Sequence, residues 1–235
     1  MRRTLIAIAI AAAVAVPSIG QAKSFRWAAQ GDILTFDPHS QNEGMTIAAN
    51  SYIYEPLVDY DKDFKVVPRL ATEWEQVSPT LYRFKLRPGV KFHDGTDFNA
   101  EAVKINFDRP ANPDNRLSRY IQFSVIEKID VVDPLTVKIT LKKPFSAFIN
   151  ALAHPAAMMI SPAALTKYGK EIGFHPVGTG PFEFVEWKPA EYLKVKKFDG
   201  YWKKGYPKVD TLTFRTVTDN NTRAAVVQTL SLIHI

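Results

Sequence analysis

The sequence contains no cysteine, and this absence excludes several kinds of chemistry. No disulfide can form, and no thiol is present to carry a lipid anchor or to ligate zinc. The histidines are scattered without an i, i+4 pair, so a zinc site of the usual spacing is not predicted. No Gly-x-Ser-x-Gly motif occurs, and no serine is tied by spacing to a histidine and an acid. We therefore expect no enzyme, and no resident metal or cofactor.

Long apolar runs are also scarce, and the one near the N-terminus has the setting of an export signal. Residues 5–16 are apolar, but they are fewer than the roughly 20 residues that a membrane-spanning helix needs. Arg2 and Arg3 precede this stretch, and the small-residue site Gly-Gln-Ala at 20–22 follows it. We predict that residues 1–22 are a cleaved signal peptide and that the mature protein is periplasmic, in a Gram-negative bacterium. An uncleaved membrane anchor is the alternative.

The charge of the chain is only mildly basic. Removal of residues 1–22 lowers the formal net charge from +6 to +4, because two arginines and no acids lie there. The lysines fall mainly on polar faces of strands or in turns, without an aromatic platform or a basic helix. Binding of nucleic acid is therefore not expected, and we expect a monomer.

Alternation of apolar and polar residues predicts strands toward both ends of the chain. The alternating segments are residues 24–28, 82–86, 136–142, 182–184, 193–195 and 212–214. Pro88-Gly89 predicts a hairpin turn, after which Val90 and Phe92 continue the sheet. Helices are predicted after the capping residues Asn99 and Ser161, and between residues 45 and 57. The mixture predicts an α/β (α+β) fold.

A glycine-rich corner, Val-Gly-Thr-Gly-Pro-Phe, occupies residues 177–182. It is not predicted to bind phosphate, because Pro181 lacks an N–H group and a strand follows where a helix would be needed. The glycines are instead expected to permit unusual backbone angles or the close approach of another backbone.

The order and spacing of these motifs resemble the large substrate-binding proteins of bacterial ABC importers for peptides, nickel and related solutes (family 5). The resemblance extends over essentially the whole chain. It rests on residues 54–58, 70–74, 84–95, 98–103, 177–182 and 201–202. It implies a periplasmic-binding-protein-like fold of class II (cluster C), a two-lobed Venus flytrap with an extra domain. This chain would be the N-terminal portion of that fold.

The resemblance also implies how the lobes divide the sequence. Residues 23–54 and 175–229 would form a discontinuous and incomplete first lobe, and residues 55–174 would form a second lobe inserted into it. Residues 230–235 resemble the translation of a sequencing adaptor. We therefore expect a non-native tail and a truncated chain.

The segment from 144 to 228 is similar to the glutathione-binding branch of the family. The matching stretches are residues 145–150, 154–155, 159–165, 170–174 and 219–225. This similarity implies capture of glutathione or a related small peptide and its delivery to an inner-membrane permease. Dipeptide, oligopeptide, nickel-chelate and haem binders of the same family remain alternatives. A periplasmic peptide hydrolase and a chaperone or receptor partner are alternatives of other classes.

Candidate ligand contacts are sought in loops, because glutathione carries two carboxylates and one ammonium group that need charged or polar partners. The candidates are Asn42, Met45, Thr46, Arg116, Arg119 and His154. Arg119 is the strongest candidate, since the resemblance implies a ligand-facing basic residue in this loop. An exposed arginine without a ligand is the alternative interpretation.

Overall fold

The computed structural model describes residues 22–228. Apart from Ala22, the predicted signal peptide lies outside the described residues, as does the predicted tail. No helix within the described part is long and apolar enough to cross a membrane.

Strands and short helices alternate along the described chain. The strands are β1 (Ser24–Ala29), β2 (Val58–Tyr60), β3 (Val66–Pro68), β4 (Ala71–Ser78), β5 (Leu81–Leu86), β6 (Ile126–Asp133), β7 (Thr136–Leu141), β8 (Phe182–Lys188), β9 (Tyr192–Lys197) and β10 (Thr211–Thr216). The α-helices are α1 (Gly44–Ile53), α2 (Ala100–Ala111), α3 (Tyr120–Phe123), α4 (Phe148–Leu152), α5 (Pro162–Tyr168) and α6 (Asn220–Gln228). Three short 3-10 turns, Pro113–Asn115, Pro155–Ala157 and Gly169–Phe174, connect them.

Two four-stranded sheets organise the molecule. The outer sheet has the order β1-β10-β9-β8, with β1 parallel to β10 and the other neighbours antiparallel. The inserted sheet is fully antiparallel and has the order β4-β5-β7-β6. The first strand of the chain thus pairs with the last, and the inserted sheet lies between them in sequence.

Each sheet has its own apolar core. The inserted core runs from Leu57 to Met159, and the outer core combines Ile33–Tyr54 with residues from Met158 to Phe214. The chain therefore crosses between cores near Glu55 and again near Met158, because α5 and the turn after it pack with the outer core. The division into lobes remains a prediction, but these contacts place the second crossing earlier than residue 174.

The predicted continuation of the sheet at Val90 and Phe92 is wrong. Both residues are buried in the inserted core, but neither belongs to a strand, and only Lys91 forms an isolated bridge, with Asp97. The reason is that β5 already pairs with β4 on one edge and β7 on the other. No edge of β5 is left for the segment after Pro88.

The predicted helix starts at Asn99 and Ser161 are confirmed. The Asn99 side chain accepts a hydrogen bond from the Ala102 N–H at 3.0 Å, and the Ser161 hydroxyl accepts one from the Ala164 N–H at 3.2 Å. Each side chain satisfies a backbone donor that the first turn of a helix leaves free.

A buried carboxylate, Glu55, joins the two cores at the first crossing. Tyr201 donates to its Oε1 at 2.7 Å, while Trp202 and Thr179 donate to its Oε2 at 2.9 and 3.1 Å. Arg69 Nε lies 2.8 Å from Oε1 as an ion pair without an aligned hydrogen bond. Burial raises the pKa of Glu55, and Arg69 with the three donors opposes that rise. One side chain thus contacts four residues from three separate segments of the chain.

The glycine-rich corner lies against the end of α1. The Gly180 N–H donates to the Ile53 carbonyl at 2.8 Å. A Cβ atom at Gly178 would stand 2.0 Å from the Ile53 oxygen, and one at Gly180 would stand 2.6 Å from the Ile53 carbonyl carbon. The expected close approach of backbones is therefore confirmed.

Gly178→Ala is expected to lower the free energy of unfolding by about 3 kcal/mol, since the added methyl group overlaps a backbone oxygen that cannot move without shifting α1. Urea denaturation measures the change. Gly44→Ala is the control, because a Cβ at Gly44 meets no atom within 4 Å and alanine favours a helix. Equal stability of the two variants would contradict the close approach.

Candidate functional site

The segment that leads into α1 is anchored to α2 by an ion pair between Asp37 and Arg109. The Arg109 guanidinium donates from Nη1 to Asp37 Oδ1 at 2.9 Å and from Nη2 to Oδ2 at 2.7 Å. Asp37 is buried, and Arg109 lies in the last turn of α2. This two-point contact fixes both distance and orientation.

His39 completes this buried cluster as a neutral ring. Arg109 Nη1 lies 3.0 Å from His39 Nδ1, and because an arginine can only donate, Nδ1 must be the acceptor. The proton of the neutral ring is then on Nε2, which donates to the Met158 carbonyl at 3.2 Å. Burial lowers the pKa of His39 to about 4, Asp37 opposes the shift and Arg109 adds to it. Asp37 and Arg109 stand 72 positions apart, and no sequence motif connects them. Sequence reasoning therefore missed this cluster.

The loop before α3 lies beside the segment that the cluster anchors. Arg119 donates from Nε to the Gln41 carbonyl at 2.8 Å and from Nη2 to the Asn42 side-chain oxygen. Its backbone N–H donates to the His39 carbonyl at 3.3 Å. The structure therefore brings together Asn42 and Arg119, two of the residues that the sequence nominated.

Arg119 has no acidic partner among the described residues. It is partly buried, and burial lowers its pKa. No carboxylate of residues 22–228 lies within 4.0 Å of its guanidinium, and no acceptor for its Nη1 is found there. A desolvated cation with unused donors is suited to receive an anion.

His154 lies close enough to Arg119 for their charges to interact. Burial lowers the pKa of His154, and the positive charge of Arg119 lowers it further. His154 Nδ1 accepts a hydrogen bond from the Ala156 N–H at 3.1 Å, so the ring caps the short turn Pro155–Ala157. His154 therefore joins Asn42 and Arg119 at one face.

The first turn of α1 forms the neighbouring part of this face. Glu43 caps the helix, with its carboxylate accepting from the N–H groups of Met45 at 2.9 Å and Thr46 at 2.8 Å. Thr46 is fully buried, and its hydroxyl accepts from the Leu34 N–H at 3.0 Å. Thr46 is thus a structural contact here, whereas Met45 is partly exposed.

Arg116 does not share the face. It is exposed and lines a different cleft, together with Ser40 and Lys170. Within residues 22–228 no group of three or more His, Asp or Glu side chains is arranged to hold a metal ion.

The Arg119 face and the two-core fold can be compared with known proteins. The family model for bacterial extracellular solute-binding proteins, family 5 (middle), matches residues 65–232. The chain belongs to this family. A glutathione-binding protein GsiB of Pectobacterium atrosepticum is 54% identical over 229 residues, and the one of Salmonella typhi is 53% identical over 226. These matches cover 97% and 96% of this chain, but it spans only 45% and 44% of the relatives' length.

Solved structures of the family share the fold. The binding protein AgaA of A. tumefaciens R10, in complex with agropinic acid, superposes with a TM-score of 0.84 at 33% identity. That match covers 89% of this chain and 43% of AgaA. NikZ of Campylobacter jejuni, in complex with Ni(L-His), gives 0.81 at 26% identity and covers 89% of this chain and 42% of NikZ. The predicted periplasmic-binding-protein-like fold is therefore confirmed.

The neutral state of His39 gives stability a defined pH dependence. The pKa is about 4 in the folded chain against 6.5 for a free histidine, so below pH 6.5 the unfolded state binds more protons. The stabilisation that depends on neutral His39 is fully present above pH 6.5 and is lost as the pH falls to 4. The loss lowers the free energy of unfolding by at most about 3 kcal/mol. We expect His39→Gln to flatten the pH dependence of urea denaturation in this interval.

The control for this experiment is Asn221→Gln, an exposed change that alters no titratable group. His93 and His154 also have lowered pKa values, but they titrate in both variants and cancel in the comparison. If the His39→Gln variant kept the same slope of stability against pH as the unaltered protein, the pKa of His39 would not be lowered in the folded chain.

Proposed function

We propose that this protein is the periplasmic solute-binding component of an ABC importer and that it captures glutathione or a related small peptide for an inner-membrane permease. The proposal rests on Arg119, a partly buried cation that is held beside Asn42 and has no acidic partner among the described residues. The relatives named as glutathione-binding proteins support the choice of ligand. The function is capture without chemical change.

Arg119 would bind one carboxylate of the peptide. Its contacts with Gln41 and Asn42 already fix the guanidinium, so little side-chain freedom remains to be lost on binding. The unused N–H groups then face the ligand as a fork. A hydrogen bond to a charged group contributes about 1.5–3 kcal/mol, and more where water is excluded.

Glu43 is the acid of the same face and would receive the ligand's ammonium group. Burial acts to raise the pKa of Glu43, but hydrogen bonds from Met45 and Thr46 outweigh it and lower the pKa. The carboxylate is therefore charged at neutral pH. A cation at Arg119, which contacts Asn42, and an anion at Glu43, which follows Asn42 in the chain, match the two signs of charge of a peptide.

The remaining wall of the site would come from the part that the relatives possess in addition. This chain spans only 45% of a relative's length. The presence of a further lobe that closes over the face is therefore part of the proposal. Closure would exclude water and strengthen the charged contacts. The closed form of a monomeric receptor would then dock on the permease, and nucleic acid has no part in the process.

Arg119→Gln is expected to weaken glutathione binding about 10- to 100-fold, because it removes a charge-assisted contact. Isothermal titration calorimetry with the full-length protein measures the affinity for glutathione. Arg119→Lys keeps the charge but loses the planar fork, so an intermediate affinity is expected. Arg26→Gln, an exposed change on β1, is the control.

Competing ligands decide between the alternatives within the family. Tighter binding of dipeptides, nickel chelates or haem than of glutathione would contradict the proposed ligand but keep the solute-binding role. Turnover of a peptide would contradict capture without chemistry. If Arg119→Gln left the affinity for glutathione unchanged, a residue other than Arg119 would have to bind the ligand's carboxylate.

A further inference from the structure

A cleft that Arg119 does not line is bordered by the segment that carries Asp37 and Ser40. Its volume is about 890 Å³, and α2, α5 and the turns Pro113–Asn115 and Gly169–Phe174 enclose it. We call it the α2–α5 cleft. Small-molecule sites in proteins commonly occupy 300–1,000 Å³, so its size suits a small organic ligand.

Two cations without acidic partners line the α2–α5 cleft. Arg116 and Lys170 both line it, and they come from different parts of the chain, one following the turn after α2 and the other following α5. Neither has a carboxylate within 4.0 Å among residues 22–228. On the outer sheet, by contrast, Lys194 and Lys196 are each paired with a glutamate. The two lining cations are therefore available to a ligand.

The other charges of the lining leave the cleft positive. Arg109 also reaches the cleft, but its charge is matched by Asp37 in the two-point contact. Asp114 is the one further acid of the lining. Against Arg116 and Lys170 it leaves an excess of one positive charge, so the lining attracts anions.

The backbone holds Arg116 in an unusual conformation. Its φ angle is +51°, in the left-handed region that non-glycine residues rarely adopt. The Arg116 N–H donates to the Pro113 carbonyl at 3.1 Å, and Asn112 caps the turn by accepting from the Asp114 N–H at 3.0 Å. The base of the Arg116 side chain is thus fixed in the cleft wall by a closed turn.

We propose that the α2–α5 cleft binds a small organic dianion, of the dicarboxylate class, with one carboxylate on Arg116 and the other on Lys170. The apolar side chains of Leu165 and Ile105 line the space and would contact the carbon skeleton. This site is separate from the Arg119 face and does not rest on the proposed function.

Succinate is the probe, titrated calorimetrically into the full chain at low ionic strength. Saturable binding is expected, and Arg116→Gln and Lys170→Gln are each expected to weaken it about tenfold or more, the value of one charge-assisted contact. Lys167→Gln is the matched control, because Lys167 is exposed on α5 and does not line the cleft. Circular dichroism verifies that each variant is folded.

Three outcomes overturn the proposal. The first is no binding of succinate to the unaltered chain, and the second is an equal loss in Lys167→Gln, which would indicate unspecific attraction to surface charge. The third is loss of succinate binding in Arg119→Gln, which would place the dianion on the Arg119 face. Glutathione is also titrated into Lys170→Gln, and its affinity is expected to be unchanged because Lys170 does not lie on the Arg119 face. The two proposals can therefore fail independently of each other.

Discussion

The carboxylate of Glu55 is the constraint on which the arrangement of the two cores depends. It is buried where the chain first leaves the outer core, and it contacts the cation Arg69 together with the donors Thr179, Tyr201 and Trp202. Removal of one partner from a buried charge costs several kcal/mol, because the remaining charge stays desolvated. The segments that meet at Glu55 therefore have little freedom to slide past each other.

The Asp37–Arg109–His39 cluster extends this constraint from the lobe junction to the candidate site. It joins the segment before α1 to the last turn of α2, so residues 39–46 keep their position relative to the loop that carries Arg119. The candidate face is thus held in place by contacts with both cores. Side chains that folding has already ordered lose little further freedom when a ligand binds.

Local signals in the sequence were sufficient for elements that depend on neighbouring residues. The alternation at Thr136–Leu141 predicted β7, and Asn99 and Ser161 predicted helix starts, because period and capping act over a few positions. The strand β4 and the partners of β5 were not predicted, since pairing is decided by distant segments. The structure brings the candidates Arg119 and Asn42 into contact, and their role in ligand binding stays a prediction. The burial of Thr46 and the separate location of Arg116 depend on packing that sequence patterns do not record.

The parallel pairing of β1 with β10 has a consequence for the order of folding. Ser24 lies opposite Thr211, so the outer sheet cannot be completed until the ribosome has synthesised nearly the whole described chain. The inserted sheet closes within residues 71–141 and has all its partners much earlier. Contacts between distant segments form slowly. A folding chain would thus complete the inserted sheet while β1 is still unpaired, and this exposed edge is the part a chaperone would need to shield.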